Sequence, residues 1–156
     1  MSATGGAGGG TRGGTGGGAA DAIRSHCRHW NAMDKASWLA LFADDVEYED
    51  PPGTVASRGV EVMSTHAWDG AFTAVKRWIL EPVKIIECGR EAQVLMRNHG
   101  SVDGLPVCVE SIELWRVDDT GKVDRIRAFW EPPQDPAVHD HLAVAGWEGG
   151  TEIDRA

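Results

Sequence analysis

The sequence predicts an α+β fold: a curved antiparallel sheet forming a cone-shaped pocket, covered by three N-terminal helices. Three observations carry that prediction. Apolar residues recur at helical spacing between about residues 21 and 74. From about residue 75 the pattern changes to β-branched runs separated by Gly- and Asp-containing turns. The two kinds of element come in blocks rather than alternating, as they do when helices are segregated to one face of an antiparallel sheet. Helices crossing the open side of a curved sheet enclose a pocket.

Composition sets the frame. The chain has 156 residues, enough for one domain with a sizeable core, and its hydrophobic fraction of 42% is ordinary for a globular protein. The net charge is −9, and no run of Lys and Arg interleaves with aromatics. That pattern argues against a nucleic-acid surface and against anionic membranes. Cys27, Cys88 and Cys108 are an odd set with no metal-knuckle spacing, as expected in a reducing compartment. No apolar run approaches a membrane span, and the N-terminus lacks a secretory apolar region. The expectation is a cytoplasmic protein.

Residues 1–18 hold ten glycines and no apolar anchor, and read as a disordered tail. The folded domain is expected over 19–147, with 148–156 loose. A first helix starts near Asp21, where Ile23, His26, Cys27, Trp30 and Met33 form an amphipathic stripe. Asp34 caps a second helix through Trp38, Leu39, Leu41 and Phe42. A short strand follows, ending at Asp50 before Pro51-Pro52-Gly53. Residues 59–74 read as a third helix, with Val60, Met63, Ala67 and Ala71 on one side and His66 and Trp68 ambiguous. The strands expected next are 75–87, 92–101, 106–117 and 123–131, joined by hairpin turns into a meander. Pro82 marks the first of them as an edge strand or a bulge. Residues 136–147 suggest a short last helix packing through Leu142, Val144 and Trp147.

The strand before Pro51 gives the first chemical signal. Val46, Tyr48 and Asp50 alternate with Glu47 and Glu49, so the first three share the inward face. A carboxylate held there suits a general base, or else caps a turn. The second signal is Glu113, on one face of its strand with Ser111 and Trp115. Burial there would favour the neutral acid, whereas a wet sheet face would leave it an ordinary carboxylate. Ile126, Ala128 and Trp130 share a face of the last strand, as Val94, Met96 and Asn98 do of theirs. His26 lies on the apolar side of the first helix. His139-Asp140-His141 looks like a metal pair but lacks a further ligand nearby in sequence, so no metal site is expected.

Three segments resemble the ketosteroid isomerase branch of the nuclear transport factor 2-like superfamily, which has polyketide cyclases as relatives. They are Phe42 to Pro51, the Arg58-Gly59-Val60-Glu61 helix start, and Gly121-Lys122-Val123 through Ala128-Phe129-Trp130. The resemblance covers roughly residues 21–131. It implies proton transfer next to a carbonyl, without a cofactor, in an apolar steroid-like or polyketide-like substrate. The family's base falls on Asp50 and its protonated oxyanion-hole acid on Glu113, one methylene longer here. The oxyanion-hole tyrosine falls on His26, which can serve only as a donor. A cationic His26 would lower the pKa of Glu113, so the scheme requires a neutral one. The family's pocket Trp matches Trp130. Tyr48 should face the same cavity, and Met96, Asn98 and Trp115 complete the expected binding surface. The family's supporting tyrosines are absent: Phe42 and Ala67 stand there. Ring closure, epoxide opening and binding without catalysis remain open on the same fold. The resemblance also implies a homodimer through the outer sheet face.

Overall fold

The first helix is built around its buried stripe. In the computed structural model, which describes residues 17–53, 56–72, 77–102 and 105–130, helix α1 spans Ala19–Asn31. Ala19, Ile23, His26, Cys27 and Trp30 are buried on one side, and Arg24 and Arg28 are not. Its N-cap Gly18 has no side chain, so the sheet supplies the cap: Ala20 N–H donates to Glu87 Oε1 at 3.0 Å. At the other end, Asn31 accepts from Leu80 N–H at 2.8 Å and donates to Leu80 C=O at 2.9 Å. Both ends of α1 are thus tied to one strand. Met33, expected on the stripe, lies beyond the helix at φ 57° and is 42% exposed.

Helix α2, Lys35–Leu39, is capped as expected, with Asp34 accepting from Ser37 N–H at 3.0 Å. It is shorter than the sequence suggests. Phe42 opens strand β1, Phe42–Glu49, instead of closing α2. A two-residue strand not foreseen from sequence, β2 (Ser57–Arg58), pairs antiparallel with β1. Helix α3 begins at Val60–Val62 and continues as a π-helical stretch over Met63–Asp69. A residue is needed there with positive φ, and Gly59 supplies it at 96° while donating to Val46 C=O at 2.9 Å.

The sheet contains β3 (Ile79–Cys88), β4 (Glu91–Val102), β5 (Leu105–Val117) and β6 (Val123–Trp130). The strand order is β2-β1-β6-β5-β4-β3. From β3 to β6 it is the expected antiparallel meander. β1 joins it in parallel beside β6, pairing Tyr48 with Ile126 and Glu49 with Arg127. β3 is an edge strand, and its register shifts between Pro82 and Lys84, where the missing proline N–H breaks the ladder.

The core lies between α1 and the inward face of the sheet. Trp30, Trp38, Trp68, Phe42 and Phe72 pack around one another with ring centroids 4.7–5.7 Å apart, mostly tilted or edge-to-face. Trp68, ambiguous in sequence, therefore belongs to the core. Among the described residues no helix is long and apolar enough to cross a membrane. Also among them, no group of three or more His, Cys, Asp or Glu side chains is placed to hold a metal ion. His139, Asp140, His141 and the suggested helix at 136–147 lie outside the described residues.

Candidate functional site

Strand alternation builds the inner half of the site. Ser111, Glu113 and Trp115 point inward from β5 and are all buried, whereas Ile112 is exposed. Glu113 lies between Val94 of β4 and Ala128 of β6. Ser111 Oγ donates to Glu113 Oε1 and Trp115 Nε1 donates to Oε2, each at 2.8 Å. Burial pushes the Glu113 pKa up; those two bonds pull it back without cancelling the rise, and the charge of Asp50 adds to it. The neutral acid is favoured relative to an ordinary glutamate.

The outer half comes from the parallel β1–β6 pairing. That register brings the end of β1 alongside the end of β6. Asp50, the next residue, is exposed there. The Tyr48 hydroxyl donates to Asp50 Oδ2 and Trp130 Nε1 donates to Oδ1. Burial and the neighbouring Asp50 charge raise the Tyr48 pKa well above that of a free phenol, so Tyr48 keeps its proton.

His26 faces the site from α1. Trp38 Nε1 donates to His26 Nδ1 at 2.7 Å, so Nδ1 is the unprotonated nitrogen and Nε2 carries the hydrogen. Burial lowers the His26 pKa to about 3. The imidazole is therefore neutral, meeting the condition set by the sequence, and packs edge-on against Trp115 with centroids 4.7 Å apart.

These groups open onto a cavity of about 410 Å³, within the usual size range for small-molecule sites. Asp50, Glu113, His26, Tyr48, Trp130, Asn98 and Trp115 all line it. Met96 is a correction: it is fully buried beneath α1, with Cys27 Sγ 3.8 Å from its sulfur, and does not reach the wall. Its row of the sheet is covered by the helix, which periodicity alone does not reveal. Burial also pushes the Cys27 thiol up to about 12, leaving it an inert packing group. The reading from sequence missed the roles of Trp38 and Ser111, which position His26 and Glu113. Ser111 was detectable from its two-residue offset to Glu113. The contribution of Trp38 depends on how α2 folds back on α1, and no local pattern encodes that.

A model of the SnoaL-like domain matches residues 23–126, most of the described fold. The chain belongs to the SnoaL-like domain family. No curated protein sequence matches it significantly. The SnoaL-like domain is similar to several solved structures. RV0760c from Mycobacterium tuberculosis, solved in complex with estradiol-17beta-hemisuccinate, is 27% identical with a TM-score of 0.65, covering 72% of this chain and 93% of that one. The Δ5-3-ketosteroid isomerase from Mycobacterium sp. is 23% identical, with a TM-score of 0.64, covering 72% and 92%. An M. tuberculosis LEH-like epoxide hydrolase is 18% identical, with a TM-score of 0.62, covering 72% and 82%. The last two share the fold. The SnoaL-like domain thus has the nuclear transport factor 2-like architecture expected from the sequence, on which several chemistries occur.

Proposed function

We propose that the protein binds an apolar ketone of steroid-like or polyketide-like size and moves a proton at the carbon next to its carbonyl. Asp50 acts as the base. Its carboxylate takes the proton, the C–H electron pair shifts toward the carbonyl oxygen, and an enolate forms. Glu113 O–H and His26 Nε2–H donate hydrogen bonds to that oxygen, where charge develops. Asp50 then returns the proton to carbon, at the vinylogous position if the substrate is a β,γ-unsaturated ketone. Tyr48 and Trp130 hold the carboxylate, while Ser111 and Trp115 hold the acid. The reaction as written needs no cofactor.

One observation carries this reading: two carboxyl groups in contrasting environments face a single cavity. Glu113 is buried and pushed toward its neutral form, and Asp50 is exposed at the mouth between two donors. A base and an acid separated by environment are what proton transfer at carbon requires. The steroid-liganded relative at 27% identity supports the ligand class. The test is conversion of a β,γ-unsaturated steroid ketone to its conjugated isomer, followed by the new enone absorbance. A rate above buffer that Asp50→Asn removes is expected; binding without conversion would leave a ligand-binding protein. A specific observation favours that second reading: both Asp50 oxygens already accept hydrogen bonds within the protein.

A further inference from the structure

Glu113 is held by a chain of donors that runs in one direction. The chain starts at Asn98, which sits opposite Val109 in the β4–β5 ladder. Asn98 Nδ2 donates to Val109 C=O at 3.3 Å and to Ser111 Oγ at 3.4 Å. A carbonyl can only accept, so the amide presents its NH₂ to β5 and not its oxygen. Both bonds are long, so they set direction more than they add strength. Ser111 Oγ receives a hydrogen from Asn98 and passes its own to Glu113 Oε1 at 2.8 Å. Trp115 Nε1, which can only donate, takes Oε2 at 2.8 Å.

A neutral Glu113 must place its own hydrogen on one of those oxygens. On Oε1 it would meet the Ser111 hydroxyl hydrogen head-on. Ser111 could make room only by turning its hydrogen away, and toward Asn98 it finds an NH₂, which accepts nothing. Among the described residues Ser111 Oγ has no acceptor besides Glu113. The acid hydrogen is therefore left on Oε2, and its acceptor has to come from the cavity that Glu113 lines. The other titratable side chains on the wall stand apart from this chain. Tyr48 is bonded to Asp50, His26 Nδ1 is occupied by Trp38, and His66 is exposed on the π-helical stretch of α3. Among the described residues none of them hydrogen-bonds to Asn98, Ser111 or Glu113.

From this geometry we infer that Asn98 is a positioning residue for the proposed reaction. By holding the Ser111 hydroxyl on Glu113 Oε1, it keeps the acid hydrogen on Oε2, where Glu113 gives it to the ligand carbonyl. The inference rests on the ketone reading above and states what keeps the acid of that reading a donor to the ligand. Without Asn98 the serine hydroxyl is free to turn, and the acid hydrogen can close onto Ser111 Oγ instead of the ligand. Asn98 acts through Ser111, so its effect exists only while the hydroxyl is there to be directed.

The test reads the hydrogen bonds on a bound carbonyl directly. The probe is a conjugated 3-keto steroid, the product form, labelled with ¹³C at its carbonyl and bound to the full chain; the C=O stretch is read from the isotope-difference infrared spectrum. In the parent the stretch should fall below its position in hexane. Asn98→Leu should lose about half of that downshift, because His26 remains as the other of the two donors. Ser111→Ala should keep the downshift, since the acid hydrogen then has only the ligand to meet. Adding Ser111→Ala to Asn98→Leu should restore it, a rescue by a second deletion that damage to the fold cannot produce. If Asn98→Leu does not fold, Ser111→Ala alone decides. A downshift untouched by Asn98→Leu overturns the inference and leaves the ketone reading intact. A downshift lost in Ser111→Ala makes the serine the donor to the ligand and overturns the direction of the chain. No downshift in the parent, or no binding, overturns both the inference and the ketone reading.

Discussion

Protonation of His26 should set the acid limit of this fold. The ordinary histidine pKa of 6.5 applies to the unfolded chain, and burial lowers it to about 3 in the folded one. The folded state therefore binds fewer protons than the unfolded state between those values, and stability falls as pH drops through that window. Above pH 6.5 there is no penalty. At pH 4 the cost is the 2.5 pH units below the ordinary value, about 3 kcal/mol at ~1.4 kcal/mol per unit. That is a large share of the ~5–15 kcal/mol typical of a domain. His26→Asn removes the titration and keeps the local geometry, because the amide oxygen can replace Nδ1 as the acceptor for Trp38 Nε1. Urea unfolding of both proteins at pH 7, 6, 5 and 4, followed by tryptophan fluorescence, isolates the effect. Glu113, Cys27 and the other histidines are common to both. The gap between the parent and variant should narrow or reverse in favour of the variant by about 3 kcal/mol from pH 7 to pH 4. Parallel curves would refute the assignment of a buried neutral imidazole.

Glu113 predicts the opposite limb. Its folded pKa lies above the ordinary 4.5, so stability is lost as pH rises from there through the raised value, and Glu113→Gln should flatten that loss in the same unfolding assay. Trp38→Phe strands the buried Nδ1 of His26 without a donor and should cost about 1–3 kcal/mol in urea unfolding at pH 7, beyond any loss from the smaller ring. Asp50→Asn should leave the thermal midpoint within a degree or two. Trp130 N–H can only donate, so the amide oxygen turns to it and the NH₂ meets Tyr48, whose hydroxyl rotates to accept. Ile86, Ile112 and Phe129 are exposed, at 57%, 55% and 41%, and an apolar outer face of this kind is expected to pair in a homodimer; a monomer of 16.8 kDa by light scattering would contradict that.

Much of the fold could be read from local pattern because its elements are locally encoded. The Asp34 cap, the α1 stripe from Ile23 to Trp30 and the alternation around Glu113 each depend on neighbours within a few residues, and each appears where the sequence places it. Non-local pairing was less legible. The parallel β1–β6 register decides that Asp50 meets Trp130, and it is made between segments 80 residues apart. It also changes what Asp50→Asn should do. An inward carboxylate facing an apolar cavity would be relieved by the amide, whereas the exposed, doubly bonded Asp50 gains nothing. Met96 shows the same limit: it has the inward parity of Asn98, but α1 covers one and not the other.

Deuterium exchange tests the central claim most directly. A steroid ketone is incubated with the protein in D₂O, and label at the carbon next to the carbonyl is followed by NMR. The parent protein should accelerate exchange over buffer, Asp50→Asn should lose ~100- to 10,000-fold of that acceleration, and Glu113→Gln, which keeps a donor, should lose less. If the bound ketone exchanges no faster than in buffer, or if Asp50→Asn exchanges as fast as the parent, Asp50 is not the base and the proton-transfer reading is wrong.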